Sequence, residues 1–118
     1  MKNDFTPYAT FERQKSVFRD HPPVFVHTMI KSAAATEYDT GAILATDNSG
    51  NVILAQNGTT AANMLGVLFG HVELDAGVET PAVIAIHADV IKEQCKVDPA
   101  ASIDNVAKNL RLLGIYCY

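Results

Sequence analysis

"AANMLGVLFGHVELDAG", residues 61 to 77, is the stretch on which the reading of this chain turns. Met64, Leu65, Val67, Leu68 and Phe69 crowd around Gly66 and Gly70, with no Lys or Arg nearby. His71, Glu73 and Asp75 then alternate with Val72 and Leu74. A membrane segment, a phosphate-cradling loop, a metal site and a buried strand are the competing readings. The apolar run is much shorter than the roughly 18–20 residues a bilayer requires. "GVLFG" lacks the Lys-Ser/Thr ending and the amphipathic helix of a phosphate loop. The pattern fits a buried strand over Leu65 to Phe69, then a half-buried strand with His71, Glu73 and Asp75 on its wet face. Gly66 and Gly70 mark a bend or a close backbone approach. Leu65, Gly66, Val67, Leu68, Phe69 and Gly70 are therefore expected in the core of the body.

Upstream, "TGAILATDNSGNVILAQNG" carries a hairpin signal. Ala42 to Thr46 and Val52 to Gln56 are the strands, and "DNSG" supplies residues that tolerate positive φ. The loop lacks the alternating acidic ligands and closing Glu of an EF-hand. Ala61 to Met64 is expected to make a short helical turn. Downstream, "AVIAIHADVI" places Ile84, Ile86, Ala88 and Val90 on one apolar strand face. Ile103, Val106, Ala107, Leu110 and Leu113 follow a helical stripe. Asp98 is the expected N-cap, Pro99 the first helical residue and Gly114 the left-handed terminator. "IYCY" reads as a terminal strand. The fold class is mainly β with one C-terminal helix.

Charge divides the chain. Residues 1–31 hold five basic and three acidic residues, a balance of +2, whereas residues 32–118 hold four basic and ten acidic, a balance of −6. Residues 32–91 contain no Lys or Arg, so the body has no footprint for phosphates and no nucleic-acid partner is expected. No membrane partner is expected either. "MKNDFTPYAT" has acidic and polar residues where a signal peptide is apolar, which points to intracellular synthesis. There Cys95 and Cys117 are expected as reduced, buried thiols, a single disulfide being the alternative.

The first 31 residues carry five of the nine aromatics, Phe5, Tyr8, Phe11, Phe18 and Phe25, scattered among polar residues. "HPPVFV", residues 21 to 26, sets an extended Pro-Pro segment ahead of a β-like run. Two readings stand: a segment wrapped on its own core, or an extended arm whose aromatics anchor on another protein. The arm is preferred. It comprises residues 1–31, with Phe5, Tyr8, Phe11, Val17, Phe18, Val24, Phe25 and Val26 as contact residues, and residues 32–118 form the body. Removing residues 2–30 is expected to leave the body folded.

Chemistry finds little purchase. Gly-X-Ser-X-Gly, His-Glu-X-X-His and Cys-X-X-Cys are absent, and neither cysteine has a sequence cue for nucleophilic catalysis. His71, Glu73 and His87 are the ligands a small metal-dependent enzyme would use. The plainer reading of these side chains is the solvent face of half-buried strands. No enzyme activity, cofactor or metal is expected.

Four segments carry a family resemblance: "TGAILATDNSGNVILA" (40–55), "AANMLGVLFGHVEL" (61–74), "AVIAIHADVIKEQC" (82–95) and "NLRLLGIYCY" (109–118). In order and spacing, the chain from about Glu37 to Tyr118 resembles the head decoration protein D family of lambda-like bacteriophages. Ala88-Asp89 departs from it, since family members often place Gly before the acidic residue. The resemblance implies a small β-tulip-like, barrel-like body that binds the outside of the expanded capsid as a homotrimer and clamps major capsid protein subunits. It implies an N-terminal arm that adds a strand to the capsid protein's sheet, and residues 65–70 as core or trimer contact. The expected location is the outer virion surface after synthesis in the host bacterial cytoplasm. A monomeric virion or tail adaptor and the metal-dependent enzyme are the alternatives.

Overall fold

The structure of the protein, a computed structural model, describes Phe18 and residues 23–118. The described residues form eight strands and one α-helix: β1 (Val24–Ile30), β2 (Thr36–Tyr38), β3 (Ile43–Thr46), β4 (Val52–Leu54), β5 (Met64–Phe69), β6 (Val72–Leu74), β7 (Thr80–Val90), α1 (Ile103–Arg111) and β8 (Ile115–Cys117). The described residues are mainly β, with one helix near the C-terminal end. The expected hairpin is β3–β4, with Thr46 opposite Val52, and a 3-10 turn at Ala61–Asn63 leads into β5.

The main sheet runs β1-β7-β5-β3-β4, all antiparallel, and β8 joins the last third of β7 in parallel. β2 and β6 make a separate two-stranded ribbon. The sheet curls toward closure. The Val52 N–H donates to the Lys31 carbonyl at 2.7 Å, so β4 at one end of the order meets the residue that follows β1 at the other.

β3 and β5 are apolar on both faces because both faces are covered. Leu44, Leu68, Ile84 and Leu74 meet in an inner core, capped by the ribbon. Ile43, Val67, Val90, Val106, Leu110 and Ile115 meet in an outer core beneath α1 and β8. Fully burying each such side chain is worth about 1.5–3 kcal/mol.

Two bulges assign side chains to these cores. Leu44 faces Gly66 but Ala45 faces Met64, which leaves Leu65 as an extra residue. Val24 faces His87 but Phe25 faces Ala85, which leaves Ile86 as the extra one. The second bulge reverses the facing of β7. Ala82 and Ile84 enter the inner core, whereas Ala88 and Val90 enter the outer. The expected single face of Ile84, Ile86, Ala88 and Val90 is thereby corrected: Ile86 is left exposed.

Gly66 has φ +139°, and a Cβ there would collide with the Ala85 carbonyl oxygen of β7. The close backbone approach expected from the sequence is thus between β5 and β7. The helix starts later than expected. The Asp98 carboxylate accepts the Ala100 N–H at 2.9 Å and its carbonyl the Ala101 N–H at 2.8 Å. Asp98 and Pro99 therefore build their own turn, a habit of Asp. The helix begins at Ile103 behind Ser102, whose side chain makes no cap. The stripe holds, with Val106 and Leu110 fully buried, and Gly114 ends the segment at φ +92°.

The body also starts earlier than expected. β1 pairs with β7 along its whole length, and Phe18 is buried in the outer core and bridges Val90. Phe18, Val24, Phe25 and Val26 therefore belong to the body, and the division at residue 32 is corrected. The cause is the long β7, whose outer edge needs a partner strand. Phe5, Tyr8, Phe11 and Val17 lie outside the described residues.

Candidate functional site

β1 stands at the end of the sheet order, and among the described residues no strand covers its outer edge. An edge strand offers a row of backbone donors and acceptors to an incoming chain. Val24, Val26 and Met29 on this strand are exposed, Met29 by 53%, and the bulged Ile86 is exposed beside them on β7. Phe25 turns into the outer core, and Ile30, on the other face of the strand, is buried in the inner core where β1 ends. Val26, opposite Ile84, and Met29, opposite Pro81, leave opposite faces of the sheet, so exposed apolar groups flank this edge on both sides. A second apolar group, Leu112, Tyr116 and Tyr118, is exposed at the end of α1 and around β8.

The expected arm residues divide by role. The rings of Phe18 and Phe25 meet that of Phe69, with the Phe25 and Phe69 centroids 4.7 Å apart, so they anchor β1 to its own body. Val24 and Val26 keep their side chains in solvent. Of the segment 65–70, Val67 and Leu68 are fully buried and no residue is exposed. β5 lies between β3 and β7, so both of its edges are occupied. Its place is the core.

His71, Glu73 and Asp75 are exposed, as the alternation predicts. The ribbon brings further partners that the sequence does not reveal. Glu37 of β2 lies directly across from Glu73 of β6. His71 Nε2 lies 3.7 Å from Glu37 Oε2 and 3.6 Å from Glu73 Oε2, and its Nδ1 lies 4.0 Å from Asp39 Oδ1. Glu37, Asp39 and His71 line a shallow cleft of about 210 Å³ with Tyr38, Thr40 and Lys96. Burial raises the Tyr38 hydroxyl above its usual range, against a smaller lowering by its hydrogen bond with Thr36. His87 is not in this group. It lies on β7 at the second bulge, against Gly114. The set His71, Glu73 and His87 is therefore not assembled, and Glu37 takes the place of His87. β2 is only three residues long, too short for its period to have marked Glu37.

Cys95 and Cys117 are free thiols packed against the outer core. Burial pushes the Cys95 thiol up to about 12, and burial also raises that of Cys117 against the opposing pull of Lys92 and Arg111. Neither is a ready thiolate, the form nucleophilic catalysis needs. No helix among the described residues is long and apolar enough to cross a membrane. Comparison with models of protein families and with curated proteins finds no match for the chain.

Proposed function

We propose that the protein is a phage head decoration protein, which binds the outside of the expanded capsid as a homotrimer and clamps neighbouring major capsid protein subunits. The order of the four resembling segments supports this reading, as does a small, mainly β body of the kind that family implies. The observation that carries it is the outer edge of β1, with Val24, Val26 and Met29 exposed along it.

The segment ahead of Phe18 acts as the arm and adds a strand to the capsid protein, with Phe5, Tyr8 and Phe11 as anchors. Main-chain pairing supplies affinity, and pockets for alternate side chains supply specificity. Ordering the arm costs about 1–2 kcal/mol per residue in backbone entropy. Each buried aromatic returns roughly 1.5–3 kcal/mol. Three copies joined in one trimer then hold through avidity without any single strong site. The outer virion surface is the working location, after synthesis in the host bacterial cytoplasm.

Co-sedimentation with expanded, undecorated capsids tests the reading. Saturation at a copy number matching the three-fold positions is the expected result. A monomeric protein that fails to bind overturns it and favours a tail or neck adaptor.

A further inference from the structure

We propose that Glu37, His71 and Glu73 bind a divalent transition-metal cation of the zinc class. The inference does not rest on the decoration reading, since it concerns only the ribbon β2–β6.

One imidazole and two carboxylates are a donor set that suits such an ion. The three ligand atoms lie within 4.8 Å of one another. Zinc distances of about 2.0–2.2 Å place tetrahedral ligands roughly 3.3 Å apart. The imidazole nitrogen is already 3.6 Å and 3.7 Å from the two carboxylate oxygens. Small rotations of exposed side chains therefore complete the contacts. Three protein ligands leave at least one coordination position to water.

Electrostatics points the same way. Glu37 and Glu73 are directly opposed on neighbouring strands, where like charges repel. Asp39 adds a third carboxylate beside His71. Among the described residues, His71 is the only side chain within ion-pair distance of these three acids; Lys96 lines the cleft without pairing to them. A ribbon of three residue pairs with an acidic pair at its centre is thus poorly neutralised. A dication held across it turns that repulsion into a cross-strand staple.

The test uses the full chain and zinc chloride alone. Isothermal titration is expected to saturate at one ion per chain, with a rise in melting temperature on adding zinc. Losing an outer-sphere partner of a metal ligand already costs 10–100-fold, so His71→Ala is expected to weaken binding by about ten-fold or more. Glu37→Gln should act similarly. When zinc is absent, Glu37→Gln should melt at or slightly above the wild type because it relieves the repulsion with Glu73, and His71→Ala should melt close to it because the side chain is exposed. The paired substitution Cys95→Ser and Cys117→Ser should leave binding unchanged. The proposal is overturned by an absence of saturable binding, or by binding that survives His71→Ala. Loss of binding in the cysteine variant overturns it too, because the thiols would then hold the ion.

Discussion

The ring of Phe18 meets that of Phe25 edge-on, with centroids 5.6 Å apart and planes at 82°. Phe18 itself is only 7% exposed. Phe18→Ala should therefore destabilise the body by about 3–5 kcal/mol, as truncation of a core aromatic does. Denaturant unfolding measures the loss. A loss no larger than that of a surface substitution would show that Phe18 is not a core residue.

The same contact separates two truncations. Under the decoration reading, in which the segment ahead of Phe18 is an arm, deleting residues 2–17 should leave the melting temperature close to that of the full chain. Deleting residues 2–30 removes Phe18 and the whole of β1, and bares one edge of β7. That protein should fail to fold, against the expectation that all of residues 2–30 could be dispensed with. Circular dichroism on both truncations decides the matter. Under the decoration reading, the shorter deletion should also abolish capsid binding.

Gly66→Ala should cost about 2 kcal/mol or more. The residue needs φ +139°, and a methyl group meets the Ala85 carbonyl of the neighbouring strand. Chemical denaturation of the variant gives the value. Gly50→Ala is the instructive contrast, since no atom lies within 4 Å of a Cβ there and only the backbone strain at φ +83° remains.

Helix α1 is held at its start from another part of the chain. Asn57 Oδ1 accepts the Ser102 N–H at 2.8 Å and the Asn105 amide at 3.4 Å. Asn57→Ala should cost about 1 kcal/mol, the usual worth of a cap. In a domain of this size that is a fall of about 5 °C in melting temperature. Ser102→Ala should be nearly silent, because the Ser102 side chain makes no cap. Calorimetry on the two variants distinguishes a remote cap from a local one.

Stability should fall at alkaline pH. The Cys95 thiol titrates near 9 when exposed and is pushed up to about 12 by burial in the folded chain. Between those values the unfolded state binds fewer protons than the folded one, so stability drops as pH rises from about 9 toward 12. Below 9 the contribution is constant. Melting curves across this range should show a shallower decline in Cys95→Ala. An equal decline in both proteins would assign the effect to other groups.

Under the decoration reading, Val26→Lys combined with Met29→Lys should lower capsid occupancy without lowering the melting temperature. Both side chains point into solvent, so the folded body has little to lose. Co-sedimentation and calorimetry on one preparation separate a binding defect from a folding defect.

Much of the fold was legible in the sequence. The hairpin across Asp47–Gly50, the buried strand at Leu65–Phe69, the stripe on α1 and the left-handed Gly114 all rest on local periodicity or turn chemistry. The late start of α1 comes from the local turn that Asp98 builds, whereas the other errors share one physical source, pairing partners far away in the chain. Ile86 looks like a core residue until the bulge opposite Val24 and Phe25 turns it outward. Phe18 and Phe25 look like free anchors because Phe69, which receives them, lies more than forty residues onward. The His71 group was half visible. Its alternation with Glu73 is local, but Glu37 joins it only through the register of the ribbon.

The end of β7 is flanked by two distant pieces of chain, Phe18 bridging Val90 and Cys117 pairing with it. This has a consequence for synthesis. A nascent chain that has emerged as far as α1 already carries Val67, Val90, Val106 and Leu110, yet has no Ile115 to close over them. The inner core, complete by Ile84, can form while translation continues. The outer core must wait for β8, and its apolar surface stays open to chaperones and to neighbouring chains until then.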